Sequence, residues 1–181
     1  SKGFDAYGVE ISEYASRIAK NNLSPEKIFN GTLAQVKLPD NSFGLITMWD
    51  CIEHIADPEG ELSKIYDLLC GDGLLVLTTP NTSSLAHKIF KQKWMGYKDK
   101  EHLYYFSDKN LSLLLKIAGF KVIKKERVGK FIPLSVFLQR LSLYSGPAAK
   151  IMNFLTEKTG LNNLSFYVNP WDIVCIYAKK I

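Results

Sequence analysis

Tyr7-Gly8-Val9-Glu10-Ile11-Ser12 is the stretch on which the fold turns. A short apolar run that ends in a carboxylate and then offers a serine N-cap predicts a strand, from Asp5 to Glu10, feeding straight into a helix. The C-terminal end of a strand is where an open α/β sheet keeps its ligand crevice. A carboxylate there can accept hydrogen bonds from both hydroxyls of a ribose. A second strand, Phe43 to Met48, leads into Trp49-Asp50-Cys51-Ile52-Glu53-His54, a polar cluster at the equivalent end. Together the two ends point to an enzyme that uses a nucleoside cofactor. The strand and glycine-rich turn expected ahead of Glu10 have no counterpart in the sequence.

Outward from these ends the chain alternates strand and helix. Ser12 caps a helix whose Ala15, Ile18, Ala19 and Asn22 share a face, closed by Asn21-Asn22 and Ser24-Pro25. Lys27 to Asn30 reads as a second strand, and Phe43 to Met48 as one covered on both faces. Asp57-Pro58 starts the next helix, with Leu62, Ile65, Tyr66 and Leu69 in one stripe and Gly71 as its stop. Gly71-Asp72-Gly73 follows a helix and precedes the strand Leu74 to Thr79, so it reads as a C-cap and tight turn rather than a phosphate loop. A helix over Ser107 to Ala118 turns Leu111, Leu114, Leu115 and Ala118 inward and stops at Gly119. Lys121, Lys124 and Lys125 mark the strand Phe120 to Val128 as an edge. Trp171 to Ala178 is the last strand. The segment before it is too long for a bare loop, and Pro133 to Tyr144 and Pro147 to Lys158 read as helices.

With 181 residues, 46% hydrophobic and 23% charged, the chain suits one domain (1–181) with a core of its own. No apolar run approaches the roughly 20 residues that cross a bilayer, and the N-terminus has no secretory pattern. Cys51, Cys70 and Cys175 are odd in number and widely spaced, which suits a reducing, cytoplasmic setting rather than a disulfide or zinc framework. The net charge of +5 is spread over many lysines and reads as a solvated surface, so nucleic acid is not an expected partner.

Four further groups of residues follow the opening stretch in order. They are Leu38-Pro39-Asp40-Asn41-Ser42-Phe43-Gly44-Leu45-Ile46, Cys51-Ile52-Glu53-His54-Ile55-Ala56-Asp57-Pro58, Leu68-Leu69-Cys70-Gly71-Asp72-Gly73-Leu74 with Thr79-Pro80-Asn81, and Ala118-Gly119-Phe120. With them, residues 3–128 and the final strand resemble the class I S-adenosylmethionine-dependent methyltransferases, of the ubiquinone and small-molecule type. The resemblance implies an α/β, Rossmann-like doubly wound sheet of seven strands whose last strand runs antiparallel beside the sixth. It implies that Glu10, with Ile11, binds the adenosyl ribose of S-adenosylmethionine, and that Gly31, Thr32 and Leu33 form the turn against adenine. Trp49 and Asp50 would line the cofactor. The aspartate often found near the adenine turn is missing, which leaves the backbone or the Thr32 hydroxyl to serve. The family's first strand and glycine-rich loop would lie before residue 1, so the resemblance implies an N-terminally truncated chain. Its sheet would be opened between the strands at 5–10 and 43–48, which invites self-association. Residues 1–128 and 171–181 would then form the core, and 129–170 a helical insert or cap.

The expected reaction is in-line methyl transfer to a small-molecule or glycan/lipid-precursor acceptor, whose hydroxyl would need a proton acceptor. His54 and His102 are the candidate catalytic bases, with His87 behind them. Equally, Glu53-His54 can serve to order the loop and the next helix. A metal is not expected. The alternative is a divalent cation held by Asp50, Glu53 and His54, positions that match the cation ligands of ubiquinone-type O-methyltransferases. Residues 90–106, aromatic and basic, fall where such enzymes build a substrate wall. Residues 131–144 can form a cap, a dimer surface, an interfacial membrane helix or a helix packed on its own domain. Two other functions stay open: a non-catalytic binding subunit of the same fold, and a nicotinamide-dependent oxidoreductase using Glu10 on its ribose.

Overall fold

The computed structural model describes residues 3–98, 100–138 and 164–181. Its elements run β1 (Gly8–Glu10), α1 (Glu13–Asn22), β2 (Ile28–Asn30), β3 (Phe43–Trp49), α2 (Pro58–Leu68), β4 (Leu69–Pro80), α3 (Leu85–Phe90), α4 (Asp108–Ile117), β5 (Phe120–Pro133) and β6 (Ser165–Lys180). β1 pairs in parallel with β2, and β3 with β4, while β6 is antiparallel to both β4 and β5. The four-stranded order is β3-β4-β6-β5, beside a separate β1-β2 pair. This is a Rossmann-like arrangement with the last strand antiparallel, as expected from the resemblance, in which β1-β2 is not hydrogen-bonded to the four-stranded sheet. The two units meet where the Tyr7 and Phe43 rings pack edge to face at 5.6 Å.

The core forms where α2 and α4 lay their apolar stripes on β4 and β6. Leu62, Ile65, Leu111 and Leu115 interdigitate with Leu75, Leu77, Val174 and Ile176, all buried. Each such side chain contributes about 1.5–3 kcal/mol. The predicted caps are in place: Ser12 Oγ accepts from the Ala15 amide, Asp57 from Gly60, and Ser107 from Asn110. β5 is the outer strand of the sheet, and its three predicted lysines are exposed.

Several local expectations change. β1 begins at Gly8 rather than Asp5, and β2 at Ile28, because only Gly8–Glu10 find partners on Ile28–Asn30 and Pro25–Lys27 form a 3-10 turn. On α1 the buried residue is Ser16, and Ile18 stays 44% exposed, since α1 packs on the small β1-β2 unit and not on a full sheet. β3 buries Met48 but leaves Leu45 and Trp49 exposed, so it is covered on one face only. Gly71 does not stop α2. Leu69 is the C-cap, and residues 70–73 bulge from β4 between the pairs Phe43–Leu69 and Leu45–Leu74. β5 and β6 also run further than expected, pairing Lys130–Pro133 with Val168–Ser165. Part of the segment expected as a helical insert is therefore a ribbon. Residues 134–138 are helical, and the remaining helix expectations at 139–163 lie outside the described residues.

Gly119, at φ +88°, closes α4, and a Cβ there would stand 2.7 Å from the Tyr66 ring. Tyr66 is fixed in turn by the Ile181 carbonyl and the ammonium of Lys180, 4.5 Å from its ring centre. Gly119→Ala is expected to lower the unfolding free energy by about 1–3 kcal/mol, whereas Gly71→Ala meets nothing within 4 Å and is expected to be tolerated. Urea midpoints of the two variants check this, and equal midpoints would contradict it.

Candidate functional site

The C-terminal ends of β1, β2, β3 and β4 carry the polar residues singled out in the sequence. Glu10 ends β1 half-buried, and its Oε1 accepts from the Ser12 amide at 2.7 Å. Among the described residues nothing occupies its Oε2. Asn30, at the end of β2, donates to the Glu10 and Ile11 carbonyls at 2.9 and 3.2 Å, and the Gly31 amide donates to Glu10 O at 3.0 Å. The turn that follows is tied by Gln35, whose Oε1 accepts from the Thr32 amide and hydroxyl at 2.9 and 3.2 Å. Gly31 sits at φ +143°, and a Cβ there would meet Gln35 Oε1 at 3.0 Å. The Ile11 side chain points to solvent, 73% exposed, whereas Leu33 packs against the core.

Trp49 stands 60% exposed at the end of β3. Asp50 after it takes a left-handed backbone, φ +47°, a conformation that costs a non-glycine residue about 1–3 kcal/mol. What holds it there is β4: the Asp50 amide donates to Thr78 Oγ1 at 3.0 Å and Thr78 O at 3.1 Å. Its carboxylate is engaged by Lys130 of β5 and by the Thr78 hydroxyl. Cys51 is exposed as a residue, but its sulfur lies against protein. Burial first, then the carboxylates of Glu61, Glu53 and Glu10, push its thiol up to about 11, so it is an uncharged thiol at neutral pH.

Glu53 is 1% exposed. Its Oε2 accepts from Thr79 Oγ1 at 2.9 Å, and its carbonyl accepts from the Leu103 and Tyr104 amides at 2.9 and 3.1 Å. Its Oε1 is buried without a partner. Burial raises the carboxyl above its ordinary range, against the lowering pull of its own backbone and of the Thr79 hydroxyl. His54 is exposed and its Nδ1 faces the Glu101 carbonyl at 2.7 Å. His102, 8% exposed, meets His54 edge to face at 4.8 Å, and its Nδ1 is buried without a partner. Burial, with His54 and Lys98 nearby, holds its pKa below the usual imidazole value. His87 belongs elsewhere: its Nε2 pairs with Tyr97 Oη at 2.8 Å, within a cluster of edge-to-face rings with Trp94. Trp94 is buried and donates to Asp172 at 3.0 Å, and Phe106 is the core anchor of the Tyr104-Tyr105-Phe106 run. The 94–106 loop is thereby a built wall against the end of the sheet.

The structure thus brings Glu53, His54 and His102 together and leaves Asp50 to Lys130 and Thr78. Sequence reasoning missed Gln35, Thr78, Thr79 and Lys130. The one available signal was Thr78-Thr79, two hydroxyls ending an apolar strand.

A methyltransferase domain family model matches residues 1–125. No curated protein matched the sequence. Among solved structures, the chain is similar to a SAM-dependent methyltransferase from Archaeoglobus fulgidus, 21% identical with TM-score 0.61, covering 98% of this chain and 77% of that one. A SAM-dependent methyltransferase from Thermotoga maritima is 20% identical with TM-score 0.60, covering 96% and 72%. An S-adenosylmethionine-dependent methyltransferase from Mesorhizobium loti is 14% identical with TM-score 0.57, covering 96% and 79%. At these identities the likeness is one of fold.

Thr79→Val removes the hydroxyl that holds the ionised Glu53 and keeps the shape of the side chain. A carboxyl raised in the folded state contributes stability below its unfolded pKa and loses it as pH rises through the folded one. The variant is therefore expected to be destabilised by about 1–3 kcal/mol at pH 8 and by less at pH 5. A deficit of equal size at both pH values in urea unfolding would contradict the assignment.

Proposed function

The chain belongs to the methyltransferase domain family, and from that premise we propose that it moves a methyl group from S-adenosylmethionine to a small-molecule acceptor, a glycan or lipid precursor among the candidates. The observation that carries the cofactor reading is Glu10: one carboxylate oxygen is spent on the Ser12 amide, which fixes the side chain, and the other is open to a ribose hydroxyl. The cofactor supplies a methyl carbon already activated on a sulfonium, so in-line displacement needs no covalent enzyme intermediate. Cys51, a thiol at neutral pH, fits a packing role beside it.

The chain's own residues bind, orient and exclude water. Gly31, Thr32 and Leu33, stiffened by Gln35, form the wall against adenine, and the Thr32 hydroxyl takes the place of the missing aspartate. Trp49 gives an apolar face, and Asp50, clamped by Thr78 and Lys130, fixes the corner that presents it. The 94–106 wall closes the acceptor side, where His54 and His102 stand ready to activate an acceptor hydroxyl. Among the described residues no helix is long and apolar enough to cross a membrane, and the free cysteines suit a reducing cytoplasm. The family match favours this reading over hydride transfer to or from a nicotinamide.

Glu10→Ala is expected to weaken S-adenosylhomocysteine binding by about 10–100-fold, the weight of a charge-assisted hydrogen bond. Calorimetric titration of wild type and variant checks it, and equal affinities would overturn the ribose assignment.

A further inference from the structure

We propose that the outer face of α4, with the adjoining start of β5, docks the protein on an anionic phospholipid bilayer. Residues 109–125 hold five lysines and no aspartate or glutamate. At 3.6 residues per turn, Lys109, Leu113, Lys116 and Ile117 fall within an arc of about 100°, opposite the core stripe of Leu111, Leu115 and Ala118. A helix face turned to water is ordinarily polar. Here Leu113 and Ile117, one turn apart, are 57% and 62% exposed, and Lys109 and Lys116 beside them are exposed as well. β5, on which α4 packs, carries the pattern past the Gly119 turn. Its register shifts between Val122 and Lys124, and the residue at the shift, Ile123, is 51% exposed among the exposed Lys121, Lys124 and Lys125.

The charge of this face is not offset by the carboxylates that flank it. Arg127 takes Asp108, while Lys124 and the Tyr177 hydroxyl take Glu126. Lys109, Lys116 and Lys121 have no carboxylate partner among the described residues. The combination of exposed aliphatics and unpaired lysines selects the bilayer over other partners. A second copy of this chain meeting the same face would set lysine against lysine. Single-stranded nucleic acid is held by cations and aromatic stacking, and the one aromatic residue in the stretch, Phe120, is buried. An anionic bilayer uses both kinds of side chain: the aliphatics enter the boundary of the acyl chains, and the lysines lay their apolar stems along it with the ammonium groups at the headgroups. The surface uses none of the crevice residues and stands apart from the methyl-transfer reading.

Co-sedimentation of the full chain with phosphatidylcholine vesicles, with and without about one third phosphatidylserine, tests the surface. Association with the anionic vesicles alone is expected, lost as salt rises to about 0.5 M. Leu113→Ser/Ile117→Ser and Lys116→Glu are each expected to weaken it by about 10-fold. Lys37→Glu, at an exposed lysine ahead of β3, is expected to sediment as wild type. All four positions are exposed, and unchanged urea midpoints show that the variants fold. No association by the folded wild type overturns the proposal. Association that Leu113→Ser/Ile117→Ser leaves unchanged also overturns it, since a face that works by charge alone fits any polyanion. A dimer that the same variant dissociates without vesicles overturns it in favour of a second copy.

Discussion

Glu53 ties together three parts of the chain that are far apart in sequence, by its buried carboxyl and by its backbone carbonyl. Through Oε2 it takes the hydroxyl of Thr79 at the end of β4, and through its carbonyl it takes two amides of the 94–106 wall. Its own segment is the turn leaving β3. Placing an ionisable group at 1% exposure costs several kcal/mol, which a single neutral hydrogen bond does not offset. The raised carboxyl pKa is the sign of that cost. The loop and the strand end are both tied to it.

The sheet bears on the crevice in a second way. β1-β2 and β3-β4-β6-β5 are separate hydrogen-bonded units, and the residues proposed to hold the cofactor are divided between them, Glu10 and Gly31 on one side, Trp49 and Asp50 on the other. What joins the two halves among the described residues is apolar packing, Tyr7 on Phe43 and Leu33 on the core. Packing of this kind is non-directional and tolerates small shifts better than a β ladder.

Much of the fold was legible because strand and helix periods are local. Asp57-Pro58, Ser107 and Ser12 announced helix starts, and the lysines of β5 announced an edge. Burial failed where it depends on neighbours: β3 and α1 read as covered, yet Leu45 and Ile18 face outward, since coverage belongs to the partner surface and not to the segment. Gly71 misled because a glycine after a helix reads as a stop whether it turns or bulges. At the site, Glu10, His54 and His102 stood out as residue types in place. The nearness of His102 to Glu53 did not, because it arises across a loop whose path is set by backbone amides, and neither did the contact of Asp50 with Lys130, 80 positions away.

The central claim is that one crevice at the strand ends receives the nucleoside cofactor. Backbone amide spectra recorded during titration with S-adenosylhomocysteine test it most directly. The account predicts shifts concentrated at Glu10–Ser12, Gly31–Thr32 and Trp49–Cys51, on both halves of the sheet together. Shifts confined to one half, or absent from both, would contradict it.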